Sequence, residues 1–167
     1  MTAHRTGRPE MPDGYGVSEA GPFLEWESVE ARLVEATHYW LGTSRPDGRP
    51  HIVPRWGVWL DSNFWYDGSP STRHARNLEG NPHCTLHLES GVEVTIVEGV
   101  STVPEPVAGE LGERLSAEFG RKYGSLGYSP GPDAWSGEAS GGLHVLAPRS
   151  AIAWTEFPAD LTRFSFD

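Results

Sequence analysis

The segment STRHARNLEGNP, residues 71–82, gathers side chains that could bind an anion. It places Arg73, His74 and Arg76 within four residues, although the chain of 167 residues has 23 acidic side chains against 13 Lys and Arg. Guanidinium groups bind phosphate through paired, charge-assisted hydrogen bonds. A short basic segment in an otherwise acidic protein is therefore a candidate anion site.

The same segment predicts a helix of about two turns. Ser71 or Thr72 is suited to cap its first turn, and Gly80 followed by Pro82 is suited to end it. Hydroxyl and guanidinium groups then lie beside unpaired backbone N–H groups at the positive end of the helix dipole, which is an arrangement that binds phosphate. The alternative is a solvated cationic face that pairs with nearby Glu side chains, and composition alone favours this alternative.

A second stretch, HIVPRWGVWL, predicts a strand with an arginine at its centre. Gly57 leaves bare backbone where a flat molecule could approach, and Arg55 beside it could reach a phosphate or ring carbonyls. Trp56 and Trp59 are alternatively ordinary core or dimer aromatics. By alternation one face of the strand carries His51, Val53, Arg55, Gly57 and Trp59.

Other chemistry has less support in the sequence. The motifs of nucleophile-elbow hydrolases, P-loop proteins and dinucleotide-binding folds are absent. His83, Cys84 and His87 suggest a metal site, but in a strand the two histidines lie about 13 Å apart and Cys84 points to the opposite face. We therefore expect no metal, and no side chain is assigned as a catalytic nucleophile.

Composition limits the classes of function further. A formal net charge of −10 argues against a nucleic-acid or anionic-membrane binder, because such proteins need a basic face. Cys84 is the only cysteine, so no internal disulfide can form. The N-terminus has no apolar run of the kind found in a signal peptide. We expect a cytoplasmic protein with a small-molecule substrate and with no nucleic-acid or membrane partner.

The elements that must position these residues follow from periodicity. Trp26, Val29 and Leu33 share one face of a predicted first helix, and residues 107–123 predict a later one. The segment RPDGRP predicts the turn of a hairpin. Strands are predicted at THYWLGTS, HIVPRWGVWL, FWYDG, HCTLHLES, VTIVEGVSTV, LHVLAP, AIAWTE and TRFSFD.

The order of these elements indicates the fold class. Residues 1–22 are expected to form a flexible or surface-wrapping lead-in and residues 23–167 a single domain. Residues 124–142 form a long loop rich in Gly, Pro and Ser that is expected to cap the site. Many short antiparallel strands with few helices predict a mainly β, α+β protein: an antiparallel barrel with short flanking helices.

In this order, the blocks YWLGTSRPDGRPHIVPRWGVWLD and STRHARNLEGNPHCTLHLESGVEVTIVEG, with the tail AIAWTEFP and TRFSF, resemble a known family. It is the family of pyridoxamine 5′-phosphate oxidase-like split β-barrels that bind flavin or deazaflavin. The resemblance runs over roughly residues 26–166. Its most specific part is the short basic helix ending in R-N-L-x-x-N-P, which leads directly into a strand. The sequence looks closest to the actinobacterial branch that uses the deazaflavin coenzyme F-420.

The resemblance implies where a cofactor would bind and that the protein is a homodimer with its sites at the interface. His74 is a departure, because many relatives carry a lysine there. Trp154 and Arg163 are implied to line the site from the C-terminal strands. The cofactor phosphate is implied to contact Arg55, Thr72, Arg73, His74, Arg76 and Asn77, and its ring to lie along Pro54, Trp56, Gly57 and Val58.

The function implied by the resemblance is hydride transfer from reduced F-420 to a small unsaturated or planar substrate. Tyr66, Tyr123 and Tyr128 are possible proton donors. An oxidoreductase that uses FMN is the first alternative, since an acidic surface repels the polyglutamate tail of F-420. A non-enzymatic cofactor carrier, a haem-binding relative and a barrel with no ligand are the others. The residues that leave haem binding open are His51, His83, His87 and His144.

Overall fold

The computed structural model describes residues 3–14 and 21–166. Within them the chain forms one sheet, three α-helices and two 3₁₀ turns at Gly124–Leu126 and Glu138–Gly142. The helices are α1 (Trp26–Glu35), α2 (Arg73–Gly80) and α3 (Gly109–Tyr123). The strands are β1 (His4–Gly7), β2 (Tyr39–Ser44), β3 (Pro50–Arg55), β4 (Val58–Leu60), β5 (Asn63–Asp67), β6 (His83–His87), β7 (Val94–Thr102), β8 (Leu143–Trp154) and β9 (Thr162–Phe166).

The nine strands of the described residues form an antiparallel sheet that does not close completely. The main path runs β1-β9-β8-β7-β6-β2-β3, and the β4–β5 hairpin joins it through β8. Strand β8 is the branch point, because one edge pairs with β7 while the other is divided between β5 at residues 143–146 and β9 at residues 150–153. The result is the expected mainly β, α+β split barrel with short flanking helices.

The core follows from strand alternation. Directly opposite residues on neighbouring strands share a face, so the registers place one continuous row of apolar side chains on the inner face of the sheet. Helix α1 adds Trp26, Val29 and Leu33 to this core, as their spacing predicts. The row consists of Val53, Leu41, Leu86, Val97, Ala151 and Phe164.

The predicted strand over residues 51–60 is in fact two strands. Strand β3 ends at Arg55 and pairs only with β2, whereas β4 starts at Val58 and pairs only with β5. Between them, the Gly57 N–H donates to the Tyr123 hydroxyl at 2.9 Å instead of to a strand. Regular alternation hid this corner, because apolar residues continue through it on both sides.

Two other sequence expectations differ from the structure. The predicted strands LHVLAP and AIAWTE are one long strand, in which Pro148 lies opposite Gly99 beside a bulge where Arg149 of β8 has no register partner on β7. The predicted lead-in of residues 1–22 contributes β1, because His4–Gly7 pairs in register with Arg163–Phe166 along the free edge of β9. Residues 15–20 of that segment lie outside the described part of the chain.

The tight corner gives a stability prediction. A Cβ on Gly57 would lie 2.6 Å from the Trp65 carbonyl oxygen and 2.4 Å from two carbon atoms of the Phe64 ring. We expect Gly57→Ala to lower the free energy of unfolding by about 1–3 kcal/mol through overpacking. Chemical denaturation measures this change. The matched control is Gly80→Ala, since a Cβ there meets nothing within 4 Å; equal stability of the two variants would contradict the packing argument.

Candidate functional site

Helix α2 has the cap that its sequence predicts. The Thr72 side chain accepts a hydrogen bond from the Ala75 N–H at 3.4 Å, and Thr72 has extended backbone angles. The helix ends at Gly80, where the Asn81 N–H donates to the Asn77 carbonyl oxygen. The N-terminal turn carries no acidic side chain. The positive end of the helix dipole is therefore left free of local negative charge.

Arg73 and Arg76 lie on the exposed side of α2. In the part of the chain that the structure describes, neither guanidinium has a carboxylate within ion-pairing distance. Three other exposed arginines are paired: Arg49 with Asp47 at 2.7 Å, Arg114 with Asp61 at 2.6 Å and Arg121 with Glu118 at 3.0 Å. The ion pairs with neighbouring Glu side chains that the alternative requires are therefore absent from the described residues.

His74 and Asn77 lie on the opposite, buried side of the helix. His74 is 4 % exposed, and its Nε2 lies 3.3 Å from the Thr72 hydroxyl. Burial, and after it the nearby Arg55 guanidinium, lower the pKa of His74 to about 4. The Asn77 side-chain N–H donates to the Thr43 hydroxyl at 2.9 Å. Asn77 therefore holds the helix on β2, and His74, which lies 6.3 Å from the Tyr66 ring on β5, is a neutral group at physiological pH.

Arg55 points into the protein and not towards solvent. Its guanidinium donates to the Asp67 carbonyl oxygen on β5 and lies 5.7 Å from the centre of the Tyr66 ring. Gly68 leaves room for it, because a Cβ there would be 2.8 Å from Arg55 Nη2. Burial lowers the pKa of Arg55. Arg55 thus bridges the ends of β3 and β5, which share no ladder, while its Nε has no hydrogen-bond partner in the structure.

Sequence reasoning missed part of this cluster. The Tyr66 ring stacks on His144 with centroids 5.2 Å apart, and the Tyr66 hydroxyl lies 2.7 Å from the buried Ser101 hydroxyl. Burial, and then Arg55, lower the pKa of His144. His144 was considered only as one of several histidines open to haem. The alternation in LHVLAP, with Leu143, Val145 on one side and His144 on the other, is the signal that marks it as a strand residue with a fixed direction.

Trp56 forms an exposed aromatic surface at the barrel corner. It is 36 % exposed and stacks on Tyr123, with centroids 4.9 Å apart and an angle of 11° between the rings. The Tyr123 hydroxyl accepts from the Gly57 N–H, and its own proton is shared by the carbonyl oxygens of Gly57 at 2.8 Å and Thr37 at 2.9 Å. One face of a rigidly held indole is therefore available to a flat ligand.

The remaining predicted residues lie elsewhere. Gly57 and Val58 are buried in the core, so no bare backbone at the corner reaches the surface. Pro54 and Arg163 lie at the two ends of one row on the outer face of the sheet, which also contains Trp40, His87, Ile96 and Ile152. Five strand spacings separate Pro54 from Arg163, about 24 Å along the sheet. Trp154 packs on Phe157 at the far end of β8 from His144.

The long loop is anchored beside the cluster. Trp135 is 1 % exposed, and its Nε1 donates to the Asp67 carboxylate at 2.9 Å; the Tyr128 hydroxyl donates to the same oxygen. The Tyr128 ring lies 6.2 Å from Trp56. The loop is therefore anchored on β5 and places Tyr128 beside the exposed Trp56.

A cavity of about 700 Å³ lies across the outer side of the sheet between the β2–β3 hairpin and β8. Gly42 forms part of its floor, and His51, His83 and Arg149 provide polar groups at its walls. Cys84 also borders it, but burial raises the pKa of the thiol to about 12. The thiol is therefore protonated and unreactive at neutral pH.

Among residues 3–14 and 21–166, no three His, Cys, Asp or Glu side chains are grouped so that they could hold a metal ion. None of the helices in the described part of the chain is long and apolar enough to span a bilayer.

Comparisons with known proteins agree with the fold. A family model described as pyridoxamine 5′-phosphate oxidase matches residues 26–147. No curated protein matches the sequence. Among solved structures, a haem-storage protein from Vibrio cholerae is similar with 26% identity and a TM-score of 0.55, over 75% of this chain and 90% of that one.

Two further structures are similar in fold. A protein described as an F420 reductase has 18% identity and a TM-score of 0.51, over 84% of this chain and 98% of that one. A conserved hypothetical protein from Mycobacterium tuberculosis has 20% identity and a TM-score of 0.57, over 90% of each chain. At these identities the likeness concerns the fold.

The buried histidines give a pH prediction. Because the pKa of His74 is about 4 in the folded protein and about 6.5 in an unfolded chain, the unfolded chain binds the proton first as the pH falls. We expect the free energy of unfolding to drop by about 2 kcal/mol between pH 7 and pH 5 from this residue. Denaturant titrations at each pH measure the drop.

A comparison of variants separates the contribution of His74 to the pH dependence from that of carboxylates. His74→Gln should have a shallower pH dependence between pH 6.5 and pH 4 than the parent protein. His83→Gln, which removes an exposed imidazole on β6, should keep the parent slope. A parent slope in His74→Gln would mean that His74 is not the buried titrating group.

Proposed function

The chain belongs to the pyridoxamine 5′-phosphate oxidase family of split β-barrels, and from this premise we propose that it binds the deazaflavin F-420 and transfers hydride to a small unsaturated or planar substrate. One observation carries the proposal. Arg73 and Arg76 are exposed on an α-helix capped by Thr72 and have no carboxylate partner among residues 3–14 and 21–166, in a protein of net charge −10. Two such cations in an acidic protein suit a multiply charged anion from solution.

The residues on α2 fit a phosphate group. Arg73 lies in the first turn, where backbone N–H groups point out of the helix, and Arg76 follows one turn later on the exposed side. Both can rotate to a ligand without breaking an existing ion pair. Arg55 and His74 support this surface from beneath, since Arg55 is engaged by Asp67 and His74 by Thr72. We therefore assign direct phosphate contact to the two outer arginines and a positioning role to the two inner residues.

The aromatic surface at Trp56 fits a planar ring. Its indole is fixed by Tyr123, so stacking a ligand on its open face requires little ordering of the side chain. F-420, when bound, supplies the hydride. Trp56 and Tyr128 orient the ring and exclude water from one of its faces.

No tyrosine of this chain is assigned as a proton donor. Burial raises the pKa of Tyr66, Tyr123 and Tyr128. Each hydroxyl is also engaged: Tyr66 with Ser101, Tyr123 with the corner backbone and Tyr128 with Asp67. A group with a raised pKa and an occupied proton is a poor general acid at neutral pH. We infer that solvent or a partner subunit supplies the proton that completes the reduction.

Two alternatives have a specific observation in their favour. FMN binding is favoured by the net charge of −10, which opposes the polyglutamate tail of F-420. Haem binding is favoured by the 26% identity to the haem-storage protein. A carrier that binds F-420 without turnover uses the same surface and differs only in activity.

We also propose a homodimer that pairs through the outer face of the sheet. This face carries the apolar side chains Trp40, Ile96 and Ile152 in one row, and the adjacent row carries Ile52, which is 55 % exposed. Apolar side chains grouped on a sheet face that no helix covers are typical of a protein–protein interface. Arg163 ends the first row and Trp154 shares its face. We propose that a twofold interface through this face brings Arg163 and Trp154 of one subunit towards the cofactor site of the other.

Cofactor binding tests the leading proposal. Purified protein titrated with F-420, FMN and haem should bind F-420 most tightly, as measured by fluorescence or absorbance. Tight FMN binding with none of F-420 would overturn the proposal in favour of a flavoprotein, and a Soret shift on haem titration would favour the haem alternative. F-420 binding without reduction of any member of a broad panel of enones and quinones would favour a carrier.

The arginine pair predicts the size of a mutational effect. Arg76→Ala should weaken F-420 binding about 10- to 100-fold, which is the loss of one charge-assisted phosphate bond of about 1.5–3 kcal/mol. Arg114→Ala removes an exposed arginine that is paired with Asp61 and serves as the control. Unchanged affinity in Arg76→Ala would exclude a phosphate contact at this position.

The dimer proposal has its own test. Ile52→Glu should convert the dimer to a monomer in light scattering after size exclusion and should weaken cofactor binding together with it. Val92→Glu, at a turn residue that is 73 % exposed, should leave both unchanged. A parent protein that is monomeric at tens of micromolar would refute the proposed interface without bearing on the arginine site.

A further inference from the structure

We propose that a second cavity, behind α2, binds a small organic amine independently of the cofactor. The cavity has a volume of about 330 Å³ and lies between α2 and the adjoining ends of β7 and β8. Its apolar walls include Pro70, Leu78, Pro82 and Val103. A cavity of this size accommodates a fragment with a single ring or a short chain.

The cavity is separate from the proposed cofactor surface. It lies on the face of α2 formed by Ala75, Leu78 and Glu79. At about 100° per residue Ala75 and Leu78 lie on the side of the helix away from Arg73 and Arg76, and Glu79 lies at the edge of this face, about 60° from Arg76. The proposal therefore does not depend on the cofactor assignment.

His144 is the polar group that indicates a ligand. It is 6 % exposed, it lines the cavity, and its Nδ1 has no hydrogen-bond partner in the structure. Its ring is held in place by the stack on Tyr66. A buried polar atom without a partner is costly, so a ligand that completes the hydrogen bonding of this imidazole gains that energy on binding.

The charges around the cavity select a cation. Glu79 lies at the rim, and within the described residues it has no ion-pair partner. The neutral imidazole of His144 has one nitrogen that accepts a hydrogen bond. The Arg55 guanidinium lies 5.7 Å from the centre of the Tyr66 ring, and its charge lowers the pKa of His144, so an ammonium group is favoured at the rim beside Glu79 and not in the depth of the cavity. There it finds the Glu79 carboxylate and, towards the interior, the imidazole acceptor, whereas an anion at the rim meets the Glu79 charge.

The chemistry of the occupant follows from these contacts. Its ammonium group donates to His144 and is attracted by Glu79, and its hydrocarbon part packs between Leu78 and Val103. Ser101, which also borders the cavity, is already bonded to Tyr66 and adds little selectivity. A primary amine with one ring or a short aliphatic chain satisfies all of these contacts.

Three probes of nearly equal shape test the proposal: benzylamine, benzyl alcohol and benzoate. In ¹⁵N-resolved NMR titrations of the full chain, benzylamine should cause saturable shifts confined to residues 75–79 and 101–103 and to His144. Benzyl alcohol should bind at least about fivefold more weakly, since it lacks the charge that Glu79 attracts. Benzoate should not bind at these residues.

Two variants complete the experiment. Glu79→Gln should weaken benzylamine binding about fivefold, and Glu113→Gln, at an exposed position on α3, should leave it unchanged. Val103→Trp should fill the mouth of the cavity and abolish the shifts; if it does not fold, Glu79→Gln alone decides. Absence of saturable binding, equal binding of benzoate and benzylamine, or an unchanged affinity in Glu79→Gln would each overturn the proposal.

Discussion

The Tyr123 hydroxyl holds the corner on which the rest of the barrel depends. At Trp56–Gly57 the chain leaves the β2–β3 ladder and enters the β4–β5 hairpin, so two peptide groups lose their strand partners. The hydroxyl replaces those partners, accepting from the Gly57 N–H and donating to the carbonyl oxygens of Gly57 and Thr37. Because Tyr123 is the last residue of α3, the same contacts fix that helix against the barrel. A buried backbone corner without such partners would be costly.

The corner determines which way the residues on either side of it point. Arg55, the last residue of β3, enters the gap between β3 and β5 and donates to Asp67. Trp56, one residue later, is left outside and rests on Tyr123. One interruption of the sheet therefore produces both an internal cation and an external aromatic surface. The Asp67 carboxylate is then used by Trp135 and Tyr128, which anchors the long loop beside the same gap.

Local signals made most of the fold predictable, and long-range pairing explains the rest. The α2 helix follows from its cap and stop residues, and the β2–β3 hairpin follows from its turn, where Gly48 has a φ of +83°. The break after Arg55 could not be read from the sequence, because it depends on Tyr123, 66 residues away from Gly57. Strand β1 was missed for a similar reason, since HRTG has no alternating pattern and is a strand only because β9 offers a free edge.

The sequence predicted the helix that carries the candidate residues but not which of their side chains are exposed. From the sequence, Arg55, Arg73, His74 and Arg76 were all expected to contact the cofactor phosphate. In the structure Arg73 and Arg76 are exposed, whereas Arg55 is half-buried and His74 is buried. The reason is electrostatic. A lysine at position 74 would place a second cation beside Arg55, and both burial and repulsion would oppose its charge. Histidine avoids this cost because its lowered pKa of about 4 leaves it neutral at physiological pH. The positive charge available to an anion is thereby confined to guanidinium groups that stay charged over the whole physiological pH range, and the inner residues of α2 are free to hold the helix in place.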